Sequence, residues 1–225
     1  MNGLKINSNN YLFTDLNKLI DKYKPTHVVL DCDGTLYPNI LKARRIFDDL
    51  LSKFLFNKFG YTKEEADKFI SKNKIKFNTE SEIGACILSG IDNEEFIENV
   101  IKLIPLDFLG IKDSLIWTNL LKYKLPLIIF TNNSSEFALR IVEKIGISEN
   151  IKHIFGEIEL RFLRKPDFKA YNVVSNFLGN NVRVIYFDDN ENCLDSGKRS
   201  GWITVLTVFG DHLTNTTNAD AVLKI

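Results

Sequence analysis

The sequence has 225 residues, of which 44% are hydrophobic and 26% are charged, so we expect a globular protein with one substantial domain or a domain carrying an insertion. Its 29 basic residues balance its 29 acidic residues, which gives no indication of nucleic acid or a membrane surface as a partner. No apolar segment is long enough to span a bilayer.

Residues 1–10 are polar and lack the hydrophobic stretch of a signal peptide. The cysteines, Cys32, Cys86 and Cys193, match neither a disulfide framework nor the spacing of a zinc site. We therefore expect a cytoplasmic protein that acts as a monomer or homodimer, with no nucleic acid and no membrane as partner.

The first predicted strand, His27–Leu30, is followed by two carboxylates, Asp31 and Asp33, and then by Gly34. Side chains at i and i+2 of an extended chain point to the same face, and α/β sheets place their chemistry at strand ends. Two acids held that close are unfavourable unless a cation joins them or one of them binds a proton. A turn is the alternative interpretation, but it explains only Asp33-Gly34.

About ninety residues separate this strand from the next, far more than a crossover connection requires. Most have helical patterns: an apolar face from Ile46 to Phe54 is closed by Gly60, and both Thr62–Glu65 and Asp92–Glu95 have the spacing of a capping box. The predicted division is a core at residues 1–38 and 106–225 with a helical cap at residues 39–105. Because the cap follows the first acid pair, it could close over that site as a lid, or it could simply pack beside the sheet.

Apolar runs without polar alternation predict four further parallel strands, namely Leu125–Phe130, His153–Phe155, Val182–Phe187 and Trp202–Val208. Between them, one helix is predicted to open at Ser134 and close at Gly146, a second to start at Pro166, and a third to run from about Asn192 to Ser200. The expected fold class is therefore α/β, a Rossmann-like parallel sheet of about five strands with helices on both faces.

Polar residues follow two of these later strands and precede the second of these helices. Thr131 and Asn132 lie ahead of a helix N-terminus, which suits an anion, and Lys165 stands at the start of the next helix. Asp188 and Asp189 end the fourth strand with a second acid pair. Each could be a cap, a solvated charge or a turn, but their shared position at strand ends favours a site.

These residues form one chemically consistent set. Asp31 and Asp188 can hold one hard divalent cation, most naturally Mg²⁺, while Thr131 and Lys165 bind phosphate oxygens. Asp31 could then attack phosphorus, and Asp33 could give a proton to the leaving oxygen and later activate water.

Four segments, Asp31-Cys32-Asp33-Gly34-Thr35, Thr131, Lys165 and Asp188-Asp189, resemble in their order the motifs of the haloacid dehalogenase-like hydrolase superfamily. The resemblance implies that Asp31 is the nucleophile, Asp33 the acid/base, and Thr131 and Lys165 the phosphate holders. An acid at Asp33 is similar to the phosphatase branch, since the dehalogenases lack it.

The same resemblance implies how the cation is bound. Asp31, the backbone carbonyl of Asp33, and Asp188 would hold Mg²⁺, with Asp189 acting nearby or through water. The inserted helices are similar to the cap that such enzymes carry after the first motif.

A narrower resemblance, to the pyrimidine 5′-nucleotidase group, is carried by Leu36-Tyr37-Pro38, Phe130-Thr131-Asn132, Phe187-Asp188-Asp189 and the tail Ala219–Leu223. It implies a small phosphorylated metabolite as partner, of the UMP or CMP kind. The chain departs from this group at Asn190, Cys193 and Asp195, which weakens any transfer of substrate.

The alternatives are a phosphatase for a sugar phosphate or phosphoglycolate, a phosphomutase, and a silent binding or regulatory protein of the same fold. The cap stretch Phe77–Ser81 falls where related enzymes have a substrate-facing loop, but a plain surface loop fits as well.

Overall fold

The computed structural model of the protein describes residues 11–38, 40–210 and 217–225. Residues 1–10, for which we predicted no signal peptide, lie outside the described ranges. The chain divides into two compact units, Met1–Pro38 with Gly110–Ile225 and Asn39–Leu109. Within the described residues, no helix has both the length and the apolar character needed to cross a membrane. All three cysteines are buried, and none of them forms a disulfide.

In the described ranges, the first unit is built on a parallel sheet of seven strands. The strands are β1 (Tyr11–Phe13), β2 (His27–Leu30), β3 (Leu127–Phe130), β4 (Ile151–Phe155), β5 (Val184–Asp188), β6 (Ile203–Val208) and β7 (Ala221–Lys224). The predicted parallel α/β sheet is confirmed, but the prediction of about five strands was wrong. The two additional strands, β1 and β7, have 3 and 4 residues, so neither produces a recognisable apolar run. Pairing holds them in the sheet, because β1 pairs with β7 and β7 with β6.

Eight α-helices accompany these strands in the described ranges: α1 (Leu16–Tyr23), α2 (Ile40–Phe59), α3 (Lys63–Phe77), α4 (Glu82–Leu88), α5 (Asn93–Phe96), α6 (Ser135–Ile145), α7 (Phe168–Leu178) and α8 (Glu191–Arg199). Helix α6 has its predicted ends, with Ser134 accepting from the Phe137 N–H at 3.1 Å and Gly146 at φ +87°. Helix α7 begins two residues after the predicted Pro166, because Asp167 is its N-cap and accepts from the Lys169 N–H at 2.9 Å.

Both faces of the sheet are covered, which explains why its strands lack polar alternation. On one face, Val29 and Tyr186 pack in a buried cluster with Tyr171 of α7 and Leu194 of α8. On the other face, Phe187 meets Trp117 edge-on at 5.3 Å between ring centroids. Trp117 belongs to a 3₁₀ segment, Ile111–Tyr123.

The second unit contains α2 to α5, a π-helical turn at Ile97–Ile101 and a 3₁₀ turn at Asp107–Leu109. Gly60 ends α2 at φ +72°, and Thr62 forms both hydrogen bonds of a capping box with Glu65. The second predicted box is half formed: Asp92 accepts from the Glu95 N–H at 2.9 Å, whereas the Glu95 carboxylate pairs with Lys58 at 2.6 Å.

The order of the strands places the candidate site residues at the carboxyl ends of neighbouring strands. Strand β2 lies between β5 and β3, with β6, β7 and β1 beyond β5 and with β4 beyond β3. The chain therefore builds outward from β2 in both directions, and such a switch point is where open α/β sheets bind ligands. Asp31 follows β2, Thr131 follows β3, and Asp188 ends β5.

Candidate active site

A buried lysine joins two of the predicted acids. Lys165, in the loop before α7, donates from Nζ to Asp31 Oδ1 at 2.6 Å and to Asp188 Oδ2 at 2.7 Å. The three side chains are between 1% and 8% exposed, so water screens this arrangement very little. The structure thus brings together residues from β2, β5 and the α7 loop that the sequence only placed at separate strand ends.

The charges of this group depend on one another. Burial raises the pKa of Asp31 well above its usual range, with Lys165 opposing and the neighbouring Asp188 adding to the shift. Burial alone would lower the pKa of Lys165, but Asp188 and Asp31 raise it well above its ordinary value. Lys165 is therefore a permanent cation within an excess of acids, which favours binding of a further cation.

Asn132 fixes the backbone on which Lys165 lies. Its amide donates to the Lys165 carbonyl at 3.0 Å and accepts from the Lys165 N–H at 2.8 Å. Thr131 is fully buried, and its Oγ1 accepts from the Asn133 N–H at 3.0 Å. The predicted phosphate contacts of Thr131, Asn132 and Lys165 stay predictions.

Asp33 has a separate set of donors. The hydroxyl of Tyr37 donates to its Oδ1, and the Asn133 amide lies 3.3 and 3.2 Å from its two oxygens. Thr131 Oγ1 is 3.5 Å from Oδ2. Burial raises the pKa of Tyr37 well above 10.0, so its phenol remains a donor. Neither Tyr37 nor Asn133 was predicted as a partner of Asp33, although both adjoin the predicted motifs.

Three carboxylates beside Lys165 form a cluster that could hold a metal ion. Asp31, Asp188 and Asp189 each offer a carboxylate oxygen, and these oxygens lie within 4.8 Å of one another. Hard oxygen donors of this kind fit Mg²⁺. Within the described residues the carboxylate of Asp33 is not part of this cluster, and the predicted contribution of Asp33 was its backbone carbonyl. The predicted Mg²⁺ and its ligands stay predictions.

Gly34 makes room for Asp189. It has φ +85°, and a Cβ atom built on it would lie 2.4 Å from Asp189 Oδ2. Only glycine combines this backbone conformation with the necessary space. The turn expected at Asp33-Gly34 and the acid site are therefore parts of one structure.

Comparison with known proteins agrees with this geometry. A family model described as haloacid dehalogenase-like hydrolase matches residues 25–201. A search of curated proteins returned no match.

Several solved structures share the fold. CbbY from Rhodobacter sphaeroides in complex with xylulose-1,5-bisphosphate is 16% identical, with a TM-score of 0.57 over 88% of this chain and 93% of that one. A proposed phosphatase from Clostridium difficile is 20% identical, with a TM-score of 0.53 over 88% of this chain and 94% of that one. A predicted phosphoglycolate phosphatase from Haemophilus somnus is 14% identical, with a TM-score of 0.53 over 89% and 94%.

Proposed function

Since the chain belongs to the haloacid dehalogenase-like hydrolases, we propose that it is a Mg²⁺-dependent phosphomonoester hydrolase that acts through an aspartyl-phosphate. The observation that carries this proposal is the buried Lys165 ammonium between Asp31 and Asp188. The residues that we propose as nucleophile, phosphate-binding cation and metal ligand are thus in direct contact, which supports the proposal.

The residues divide the reaction between them. An oxygen of Asp31 attacks phosphorus and the bond from phosphorus to the leaving oxygen breaks, while Lys165 and Thr131 hold phosphoryl oxygens. Asp33 gives its proton to the leaving oxygen, then removes a proton from the water that hydrolyses the aspartyl-phosphate. Tyr37 and Asn133 bind Asp33, whereas Lys165 binds Asp31, and these different partners support different tasks for the two acids.

Three carboxylates and one carbonyl would hold the cation: Asp31, Asp188, Asp189 and the backbone of Asp33. A bound Mg²⁺ supplies positive charge that neutralises the phosphoryl oxygens.

For the substrate we propose a pyrimidine nucleoside 5′-monophosphate, on the support of Leu36-Tyr37-Pro38 and the tail Ala219–Leu223. A sugar phosphate or phosphoglycolate is the second candidate, and the descriptions of two solved structures of similar fold favour it. We further propose that the helical insertion acts as the cap that selects among them. Its attachment directly after the first acid pair supports this role.

The nucleophile can be tested with an aryl phosphate in the presence of Mg²⁺. We expect hydrolysis that stops when the metal is chelated and that falls more than about a thousandfold in Asp31→Asn, because the attacking oxygen is lost. Asp195→Asn, which removes an exposed acid of α8, is the matched control and should retain activity. Unchanged activity in Asp31→Asn would rule out the mechanism.

The substrate can be tested with a panel of nucleoside and sugar monophosphates at fixed Mg²⁺. The highest kcat/KM for UMP or CMP would support the nucleotide proposal. A preference for a sugar phosphate or phosphoglycolate would replace it. No hydrolysis of any member would favour a binding protein of this fold.

A further inference from the structure

Tyr186 lies two residues before Asp188 on β5, so the two side chains point to the same face of the sheet. Its hydroxyl donates to Asp188 Oδ2, the oxygen that also accepts from Lys165 Nζ at 2.7 Å. The other oxygen, Oδ1, accepts from the Asn190 N–H at 2.8 Å. Asp188 is thus held by donors from a strand, a loop and the start of α8.

The Tyr186 ring has little freedom to move. It is fully buried and packs against Trp202 and Tyr171, with ring centroids 5.5 and 6.0 Å away. On the α8 side, a Cβ atom built on Gly197 would lie 2.7 Å from Tyr186 Cδ1. The ring therefore fills the gap between sheet and helix, and its hydroxyl stays directed at Asp188.

We propose that Tyr186 is a positioning residue that sets the orientation in which Asp188 contributes an oxygen to the cation site. A carboxylate offers about four lone-pair positions. Lys165, Tyr186 and Asn190 occupy three of them, which leaves one for a metal ion. This inference rests on the proposed function, because it assumes that the site binds Mg²⁺.

The alternative is that Tyr186 only fills the core. The two roles differ in one measurable respect. A core residue affects the stability of the whole unit, whereas a positioning residue changes the affinity for Mg²⁺ specifically. Hydrogen bonds to a metal-ligating carboxylate typically alter metal affinity by about 10- to 100-fold.

The test is isothermal titration calorimetry of the full chain with Mg²⁺, without substrate. We expect Tyr186→Phe to weaken Mg²⁺ binding about tenfold or more. Activity assays should show the same rise in the Mg²⁺ concentration for half-maximal rate, with kcat at saturating Mg²⁺ and KM for substrate changed less than about twofold. The matched control is Tyr23→Phe, which removes a tyrosine hydroxyl elsewhere in the same unit. That hydroxyl donates to the Asp220 carbonyl at 3.0 Å, so Mg²⁺ affinity should stay close to that of the unmodified chain.

Gly197→Ala gives a second measurement that retains the hydroxyl. The added methyl must displace the Tyr186 ring, so Mg²⁺ affinity should fall here too. Mg²⁺ affinity within about twofold of the unmodified chain in whichever of the two variants folds would overturn the inference, with the proposed function intact. If the unmodified chain binds no Mg²⁺, the proposed function and this inference are both wrong.

Discussion

Gly34 supplies no functional group to the site, but its backbone decides where Asp189 can lie. Its φ of +85° and the 2.4 Å separation between an added Cβ and Asp189 Oδ2 are independent constraints. The φ angle concerns backbone strain, whereas the 2.4 Å separation concerns the carboxylate cluster of Asp31, Asp188 and Asp189. Substitution of a second glycine that has a positive φ but free space around an added Cβ can therefore separate the two constraints.

We expect Gly34→Ala to lose Mg²⁺ binding and hydrolysis, because the methyl group displaces the Asp189 carboxylate. Gly146→Ala is the matched control: Gly146 has φ +87°, but nothing lies within 4 Å of an added Cβ. Both variants should lose about 1 kcal/mol of unfolding free energy from the positive φ. Thermal unfolding and Mg²⁺ titration of the two proteins check this, and equal Mg²⁺ binding by both would contradict it.

The different hydrogen-bond partners of Asp31 and Asp33 could be predicted only in part from the sequence. Their spacing and the following glycine mark a site, because those features are local. Asp31 is distinguished by Lys165, which is 134 residues away in the sequence, and no local pattern shows that contact. Tyr37 was equally hard to assign, because a buried tyrosine beside a strand is typical of a core.

Among the secondary-structure elements, α4 is tied to its neighbours by one carboxylate in its first turn. Glu82 accepts from Arg44 of α2 at 3.2 Å and pairs with Lys74 of α3. Burial alone would raise the pKa of Glu82, but the hydrogen bonds from Arg44 and Lys74 lower it to about 2. The carboxylate is thus bound more tightly in its charged form in the folded unit.

The stability of the second unit, Asn39–Leu109, which we call the helical unit, should consequently depend on pH. Because the folded pKa of Glu82 is below its ordinary value of 4.5, its contribution is present above that pH and is lost as the pH falls toward about 2. We expect Glu82→Gln to lower the free energy of unfolding by about 1 kcal/mol at pH 7, since Arg44 is half exposed, and to have little effect near pH 2.

Urea unfolding of Glu82→Gln across this pH range provides the measurement. Glu98→Gln is the control, because Glu98 forms only an exposed pair with Lys102 one helical turn away. A loss of unfolding free energy in Glu82→Gln that becomes larger as the pH falls would contradict this interpretation.

Helix ends were predictable where short-range contacts determine them. Ser134, Thr62 and Gly146 act as the sequence pattern indicates, because their partners lie within a few residues. Glu95 differs because Lys58, on another helix, competes for its carboxylate. Whether Glu95 binds Lys58 or caps its own helix depends on how α2 packs, and the capping pattern carries no information about that packing.

For the whole molecule, the candidate cation ligands all belong to one of the two units. Asp31, Asp188 and Asp189 are in the first unit, which we call the sheet unit, and none is in residues 39–109. A ligand stabilises the structure that binds it, by about 2.7 kcal/mol at a concentration 100 times its Kd.

Calorimetric unfolding should therefore show that Mg²⁺ raises the transition temperature of the sheet unit. Asp188→Asn should abolish this increase, because it removes a ligand and a partner of Lys165. A Mg²⁺-dependent increase of the same size in Asp188→Asn would contradict the assigned site.

The order of the sheet could not be predicted to its full extent. The apolar runs indicate five strands, but β7 becomes a strand by pairing with β6, and β1 by pairing with β7. A segment of 3 residues such as Tyr11–Phe13 has no periodicity of its own. Its structure is set by a partner more than two hundred residues away in the sequence.

The division of the sheet unit into two sequence segments has a consequence for biosynthesis. As the chain leaves the ribosome, β2 emerges early, but its neighbour β5 is made only with residues 184–188. The helical unit, Asn39–Leu109, is continuous and complete long before then. Its local contacts can form first. During synthesis the insertion is therefore complete while the sheet still lacks β5, and Asp31 can contact Asp188 only after residue 188 has been made.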